Sequence, residues 1–197
     1  MFTGIIETTG KIKLCEKDRG NLNIWVESPI SHELRVDQSV AHNGVCLTVV
    51  ALEEGSHQVT AVEETLSKTN LGLLKTGSLL NLERCMLANG RFDGHVVQGH
   101  VDDTATCSKI IEKEGSWLFY FRLNQKDQKN LVVNKGSIAI NGVSLTVVEI
   151  KDTEFYVTII PYTYEHTQFN EIKEGDQVNI EFDILGKYVL NQLSNRI

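Results

Sequence analysis

Only two prolines occur among 197 residues, which leaves little material for a rigid linker. No run approaches the roughly 20 apolar residues that a membrane-crossing helix needs, so no membrane partner is expected. Basic residues are in deficit: 19 Lys and Arg against 26 Asp and Glu give a net charge of −7. That is the wrong sign for a broad grip on phosphate backbones, and no nucleic-acid partner is expected. The opening Met1-Phe2-Thr3-Gly4-Ile5-Ile6-Glu7 lacks a basic segment followed by an apolar one, so no secretory leader is expected. Among Cys15, Cys46, Cys85 and Cys107 there is no Cys-x-x-Cys pair. The four read as thiols in a reducing compartment, which makes a cytoplasmic location the expectation. Gly-x-Gly-x-x-Gly, phosphate-loop and Gly-x-Ser-x-Gly motifs are all missing. What is present is a 41% share of hydrophobic residues, enough to bury a real core.

The chain is written twice. Ala41-His42-Asn43-Gly44-Val45-Cys46-Leu47-Thr48-Val49-Val50 and Ala139-Ile140-Asn141-Gly142-Val143-Ser144-Leu145-Thr146-Val147-Val148 agree at all but two positions, 98 residues apart (139 − 41). The spacing continues through Thr65 and Thr163, Thr69 and Thr167, Lys75 and Lys173, and Gly77 and Gly175. It ends with Asn81-Leu82-Glu83 against Asn179-Ile180-Glu181. Upstream it slips to 95, where Gly4-Ile5-Ile6 meets Gly99-His100-Val101. Repeats of roughly 90 residues are too long for solenoid units. They predict two similar domains born of duplication and joined near Cys85–Val97.

Each half reads mostly as strand. Leu22–Val26 alternates apolar and polar residues, the period of a half-buried strand. Leu47–Ala51 and Leu145–Ile150 follow Asn-Gly turns. Trp117–Leu123, Glu154–Ile160 and Gln177–Phe182 carry the same signature. Short helices are predicted at Glu63–Asn70, Gln125–Val132 and Tyr164–Asn170. The fold class is therefore all-β, with a small Greek-key barrel in each half. The tail differs. Asp183 is placed to cap a helix, and Ile184, Leu185, Tyr188, Val189 and Leu193 form an apolar stripe at helical spacing. The stripe packs either on its own barrel or on copies of itself.

In the repeated Asn-Gly-Val-(Cys/Ser)-Leu-Thr segment, Cys46 and Thr48, and likewise Ser144 and Thr146, are two apart. On a strand each pair shares a face. They line two related pockets or sit in a satisfied interior. His95 and His100 are five apart beside glycines, which argues against a zinc-binding helix. His95 reads as a solvent-facing or core histidine. His100, between Gly99 and Val101, is a candidate for acid–base chemistry.

Taken together, five segments resemble riboflavin synthases: the opening Met-Phe-Thr-Gly-Ile-Ile-Glu, His-Asn-Gly-Val-Cys-Leu-Thr-Val, Gly-His-Val-Val-Gln-Gly-His-Val-Asp, Asn-Gly-Val-Ser-Leu-Thr-Val and Asn-Ile-Glu-Phe-Asp-Ile-Leu-Gly-Lys-Tyr. The resemblance spans essentially the whole chain. It implies two similar six-stranded antiparallel barrels and a C-terminal helix that joins a homotrimer. The corresponding segments are 1–90 and 91–184 for the barrels and 185–197 for the helix. The implied reaction is a dismutation of two molecules of 6,7-dimethyl-8-ribityllumazine. One gives a four-carbon unit to the other, yielding riboflavin and a ribitylamino-pyrimidinedione, without metal or other cofactor. Association with lumazine synthase is a further implied partner, and a non-catalytic lumazine-binding protein of the same fold is the alternative. Carried over to this chain, Gly4, Ile5, Ile6, Cys46, Leu47, Thr48, Glu64 and Thr65 line the N-terminal pocket. Gly99, His100, Val101, Lys135, Ser144, Leu145 and Thr146 line the C-terminal one, with Ile160, Pro161, Tyr162, Thr163, Tyr164 and Glu165. The implied roles are His100 as acid–base group, Cys46 as a polar or nucleophilic neighbour, Ser144 and Thr146 as proton relay, and Asp183 as carboxylate or helix cap. Asn141 stands where some members carry Asp and cannot act as a base.

Overall fold

The computed structural model describes residues 1–194. The first half forms β1 (Thr8–Asp18), β2 (Asn21–Glu27), β3 (Ser39–His42), β4 (Val45–Glu53), β5 (Ser56–Ala61) and β6 (Leu79–Arg84). They close into an antiparallel barrel in the order β1-β2-β5-β4-β3-β6, with β6 pairing back onto β1. The second half forms β7 (Asp103–Lys113), β8 (Ser116–Leu123), β9 (Ser137–Ile140), β10 (Val143–Lys151), β11 (Glu154–Ile159) and β12 (Gln177–Phe182). These close in the same cyclic order, β7-β8-β11-β10-β9-β12. Among the described residues, helix α1 (Glu63–Lys68) and its counterpart α2 (Pro161–His166) follow the duplication, whereas α3 (Ile184–Ser194) has no first-half equivalent. The expected pair of six-stranded barrels with a helical tail is what forms. The last part of the expected tail, residues 195–197, lies outside the described residues. Among the described residues no helix is long and apolar enough to cross a membrane.

The Asn-Gly pairs make the hairpins. Asn43 and Gly44 sit at φ 47° and 78°, and Asn141 and Gly142 at 45° and 81°. Two successive left-handed residues match the twist of flanking strands, and Asn-Gly is the pair that adopts them most cheaply. Bulges recur at the same places in both halves: Ile12/Leu14 and Cys107/Lys109, Val49/Ala51 and Val147/Glu149. Each adds local twist and bends a long strand around the barrel.

The predicted helices shift. The segment expected at Tyr164–Asn170 begins at Pro161, whose fixed φ suits a first helical position. Both α1 and α2 stop one residue before a threonine, Thr69 or Thr167, in extended conformation. Each threonine hydroxyl then accepts a backbone N–H two residues on and opens a separate 3-10 turn. The helix expected at Gln125–Val132 is only a 3-10 turn over Asp127–Leu131.

The cores differ in chemistry. The first barrel packs aliphatic side chains such as Ile24, Val26, Val59, Leu71 and Leu82. The second packs Phe119, Phe121, Phe155, Phe169 and Phe182. The first also encloses a polar pair with no second-half counterpart. His42 and His57 face each other at 2.9 Å through their Nε2 atoms, and His57 Nδ1 meets the Ser31 hydroxyl at 2.8 Å. Between the barrels the duplicated asparagines bond crosswise. Asn81 Nδ2 donates to the Asn141 carbonyl at 2.9 Å and Asn179 Nδ2 to the Asn43 carbonyl at 2.8 Å.

Candidate active site

Strand alternation decides what β4 and β10 show to their surroundings. Val45, Leu47 and Val49 turn into the first core. Cys46 and Thr48 turn outward, and Ser144 and Thr146 do so on β10. Leu47 packs its side chain into the core, where only 7% of it is accessible. Leu145 is half-buried and packs on the second core.

Outside these strands lie the two segments that precede each barrel, and they have changed places. The Cys46 N–H donates to the Gly99 carbonyl at 2.9 Å, and the Ser144 N–H donates to the Gly4 carbonyl at 2.8 Å. Both glycines are left-handed, at φ 77° for Gly4 and 80° for Gly99. A Cβ on Gly4 would come within 2.6 Å of Ser144 Cβ, and one on Gly99 within 2.5 Å of Cys46 Cβ. Only glycine allows this approach. Ile6 packs on the second barrel's core and Val101 on the first's. This corrects the sequence expectation. Gly4 and Ile6 belong with the second barrel, and Gly99, His100 and Val101 with the first. Alignment of the two halves matches segments in sequence order, whereas each leading segment reaches across the junction.

The first site is a cavity of about 250 Å³. One wall is Cys46 with Val45; another is Gly99-His100-Val101; the third is α1 with Glu64, Thr65 and Lys68. The structure thus brings His100 to Cys46. Burial pushes the Cys46 thiol up and the Ser39 hydroxyl only partly opposes it, so near neutral pH the sulfur keeps its proton. Cys46 is a polar thiol here, not an activated nucleophile. Lys68 was missed from the sequence. Its spacing from Glu64, one helical turn on, places both on one face of α1.

The duplicated positions around Ser144 carry other groups. Ser144 replaces Cys46, Ile5 replaces His100, and α2 supplies Tyr162, Thr163 and His166. The ring of Tyr162 stacks on that of His166 at 4.1 Å, and Trp117 stacks on Tyr164 at 3.8 Å behind them. A histidine from the linker stands here as well: His95 Nδ1 lies 2.7 Å from the Ser144 hydroxyl. Burial pushes the imidazole down, and the nearby Asp183 carboxylate pulls it partly back. Asp183 also accepts the Leu185 N–H at 3.0 Å, so the expected helix cap forms as well. His95 was read as a default histidine. Gly94 beside it leaves no room for a side chain, since a Cβ there would run into the Thr3 carbonyl and come within 2.9 Å of Ser144 Cβ.

The remaining expected site residues are placed as follows. Thr48 and Thr146 are exposed two residues beyond Cys46 and Ser144. Lys135 is exposed on a left-handed turn whose N–H donates to Val147. Ile160, Pro161 and Glu165 are exposed on or beside α2. Among the described residues no His, Cys, Asp and Glu group could hold a metal ion.

The lumazine binding domain model matches this chain twice, at residues 3–85 and 98–183. A riboflavin synthase of Bacillus subtilis is 41% identical over 190 residues, covering 96% of this chain and 88% of its own length. That of Escherichia coli is 38% identical over 186 residues, covering 93% and 87%. Among solved structures, LumP complexed with riboflavin superimposes with a TM-score of 0.86 at 25% identity, covering 92% of this chain and 99% of its own.

Proposed function

The chain belongs to the riboflavin synthase family of duplicated lumazine-binding domains and is an enzyme of riboflavin synthesis, and we propose how its two barrels share the reaction. Each barrel binds one 6,7-dimethyl-8-ribityllumazine, the first against Cys46 and His100, the second against Ser144 and His95. One substrate is the donor and the other the acceptor of the four-carbon unit. Two copies of one pocket suit a reaction whose partners are the same compound. Presenting both rings in register contributes on the order of 7–11 kcal/mol of orientation in favourable cases.

The observation that carries this reading is the exchange of leading segments. It gives both pockets one backbone frame, a glycine carbonyl on the N–H of Cys46 or Ser144, while the acid–base side chain differs. His100 serves as acid–base group in the first pocket. Ser144 and His95 form a proton relay in the second, with the Asp183 charge beside them. Thr65 and Thr163 orient the ligand with their hydroxyls. Residues 1–90 and 91–184 act as the two binding units.

Each pocket completes its reaction with a pocket of a neighbouring copy. Leu185, Tyr188, Val189 and Leu193 on α3 are all more than half exposed, and they join three copies through residues 185–197. The enzyme works in the cytoplasm, where association with lumazine synthase supplies its substrate. A non-catalytic carrier of the same fold would need only binding; an acid–base group beside each pocket favours turnover. The test is His100→Ala. Turnover falls far more than lumazine binding; equal loss of both would make the histidine structural.

A further inference from the structure

Two glutamates lie under the crossed segments, one per half; Glu181 is not part of the first cavity's wall, while Glu83 borders a separate cavity with Thr3 and Ile5. Glu181 on β12 is 3% accessible. Its Oε1 accepts the Gln98 N–H at 2.6 Å, and its Oε2 accepts those of Gly99 at 2.9 Å and His100 at 3.0 Å. Glu83 on β6 is 4% accessible. Its Oε1 accepts the Thr3 N–H at 2.7 Å and the Thr3 hydroxyl at 2.8 Å, and its Oε2 accepts the Gly4 N–H at 3.0 Å. These N–H groups leave their own strands to cross between barrels and have no ladder partner there. A buried carboxylate is the one side chain with enough acceptor sites for three convergent donors.

We propose that Glu181 and Glu83 are positioning residues, each clamping the segment that one barrel lends to the other's pocket, and that Glu181 sets the place of His100. The proposal rests on His100 acting in the first pocket. The two clamps then differ in consequence. Glu181 holds a segment that carries an acid–base group, so its loss falls on turnover. Glu83 holds Thr3-Gly4-Ile5, which carries none, so its loss falls on ligand affinity in the second pocket. Glutamine is the discriminating replacement. It keeps shape, but one of its two termini becomes a donor facing N–H donors.

The test is a double-mutant cycle on the full chain, with lumazine as substrate. Glu181→Gln lowers kcat by about tenfold or more with a smaller change in KM, and adding it to His100→Ala costs nothing further, because both remove the same contribution. Glu83→Gln raises KM, and its effect multiplies with that of His100→Ala. The proposal is overturned if Glu181→Gln retains full turnover, or if its effect multiplies with that of His100→Ala. A second measurement needs no variant. In the wild-type protein the amides of Gln98, Gly99 and His100 exchange with solvent as slowly as those of β12; exchange at open-loop rates contradicts the clamp. If His100→Ala alone costs nothing, the assignment of His100 fails, and the clamp stands or falls on amide exchange.

Discussion

The imidazole of His95 lies 2.7 Å from the hydroxyl of Ser144, on a segment that reaches the second barrel from the linker. His95→Ala removes the partner of that hydroxyl. Turnover is expected to fall by about 100-fold or more, the range for a lost acid–base group. Single-turnover absorbance measures it, and riboflavin binding to the same variant changes little. An unaltered rate would leave Ser144 as an orienting group only.

Gly99 and Gly4 allow no side chain. Gly99→Ala drives a methyl into Cys46 and Gly4→Ala into Ser144, each on a left-handed backbone. Each variant is expected to lose about 1–3 kcal/mol in urea unfolding. Each damages the pocket of the opposite barrel: Gly99→Ala weakens ligand binding by the first, Gly4→Ala by the second. Titration of barrel-specific ligand resonances separates the two.

Burial holds His42 down to about 3, with His57 adding repulsion, and burial holds His57 to about 4. Both are neutral when folded and protonate near 6.5 when unfolded. Their contribution is therefore full above about pH 6.5 and is lost as pH falls toward about 4, with a slope of up to about 1.4 kcal/mol per pH unit for each. The double variant His42→Ile with His57→Phe takes the residues that the second barrel uses, Ile140 and Phe155. It should flatten that slope in denaturant midpoints measured from pH 7 to pH 4. The comparison isolates the histidines from Glu83 and Glu181, which burial pushes up and which act in the opposite direction. An equally steep loss in the variant would place the acid sensitivity elsewhere.

The duplication made much of this legible in advance. A strict spacing across β4 and β10 disclosed two barrels, and Asn-Gly disclosed their hairpins, because turn chemistry is local. The long β1 and β7 were not visible, since their bulges break the alternation that marks a strand. At the candidate site, the expected neighbours Cys46, Ser144 and His100 were legible in the sequence, but not which barrel each leading segment packs against. That depends on contacts between residues far apart in sequence, and no local pattern records a crossing. His95 was passed over because a lone histidine carries no signal until Ser144 stands beside it.

The exposed stripe on α3 is the surface through which we propose that copies assemble. Val189→Glu with Leu193→Glu is expected to shift a trimer to monomers in sedimentation velocity and to lower activity, while the unfolding midpoint of the barrels stays put. A trimer that survives both charges would mean that α3 packs on its own barrel.

Purified protein mixed with 6,7-dimethyl-8-ribityllumazine alone, followed by absorbance and by product analysis, tests the two-pocket reaction most directly. One riboflavin and one ribitylamino-pyrimidinedione should appear for every two lumazines consumed, with nothing else added. Tight binding without any product over hours would contradict it.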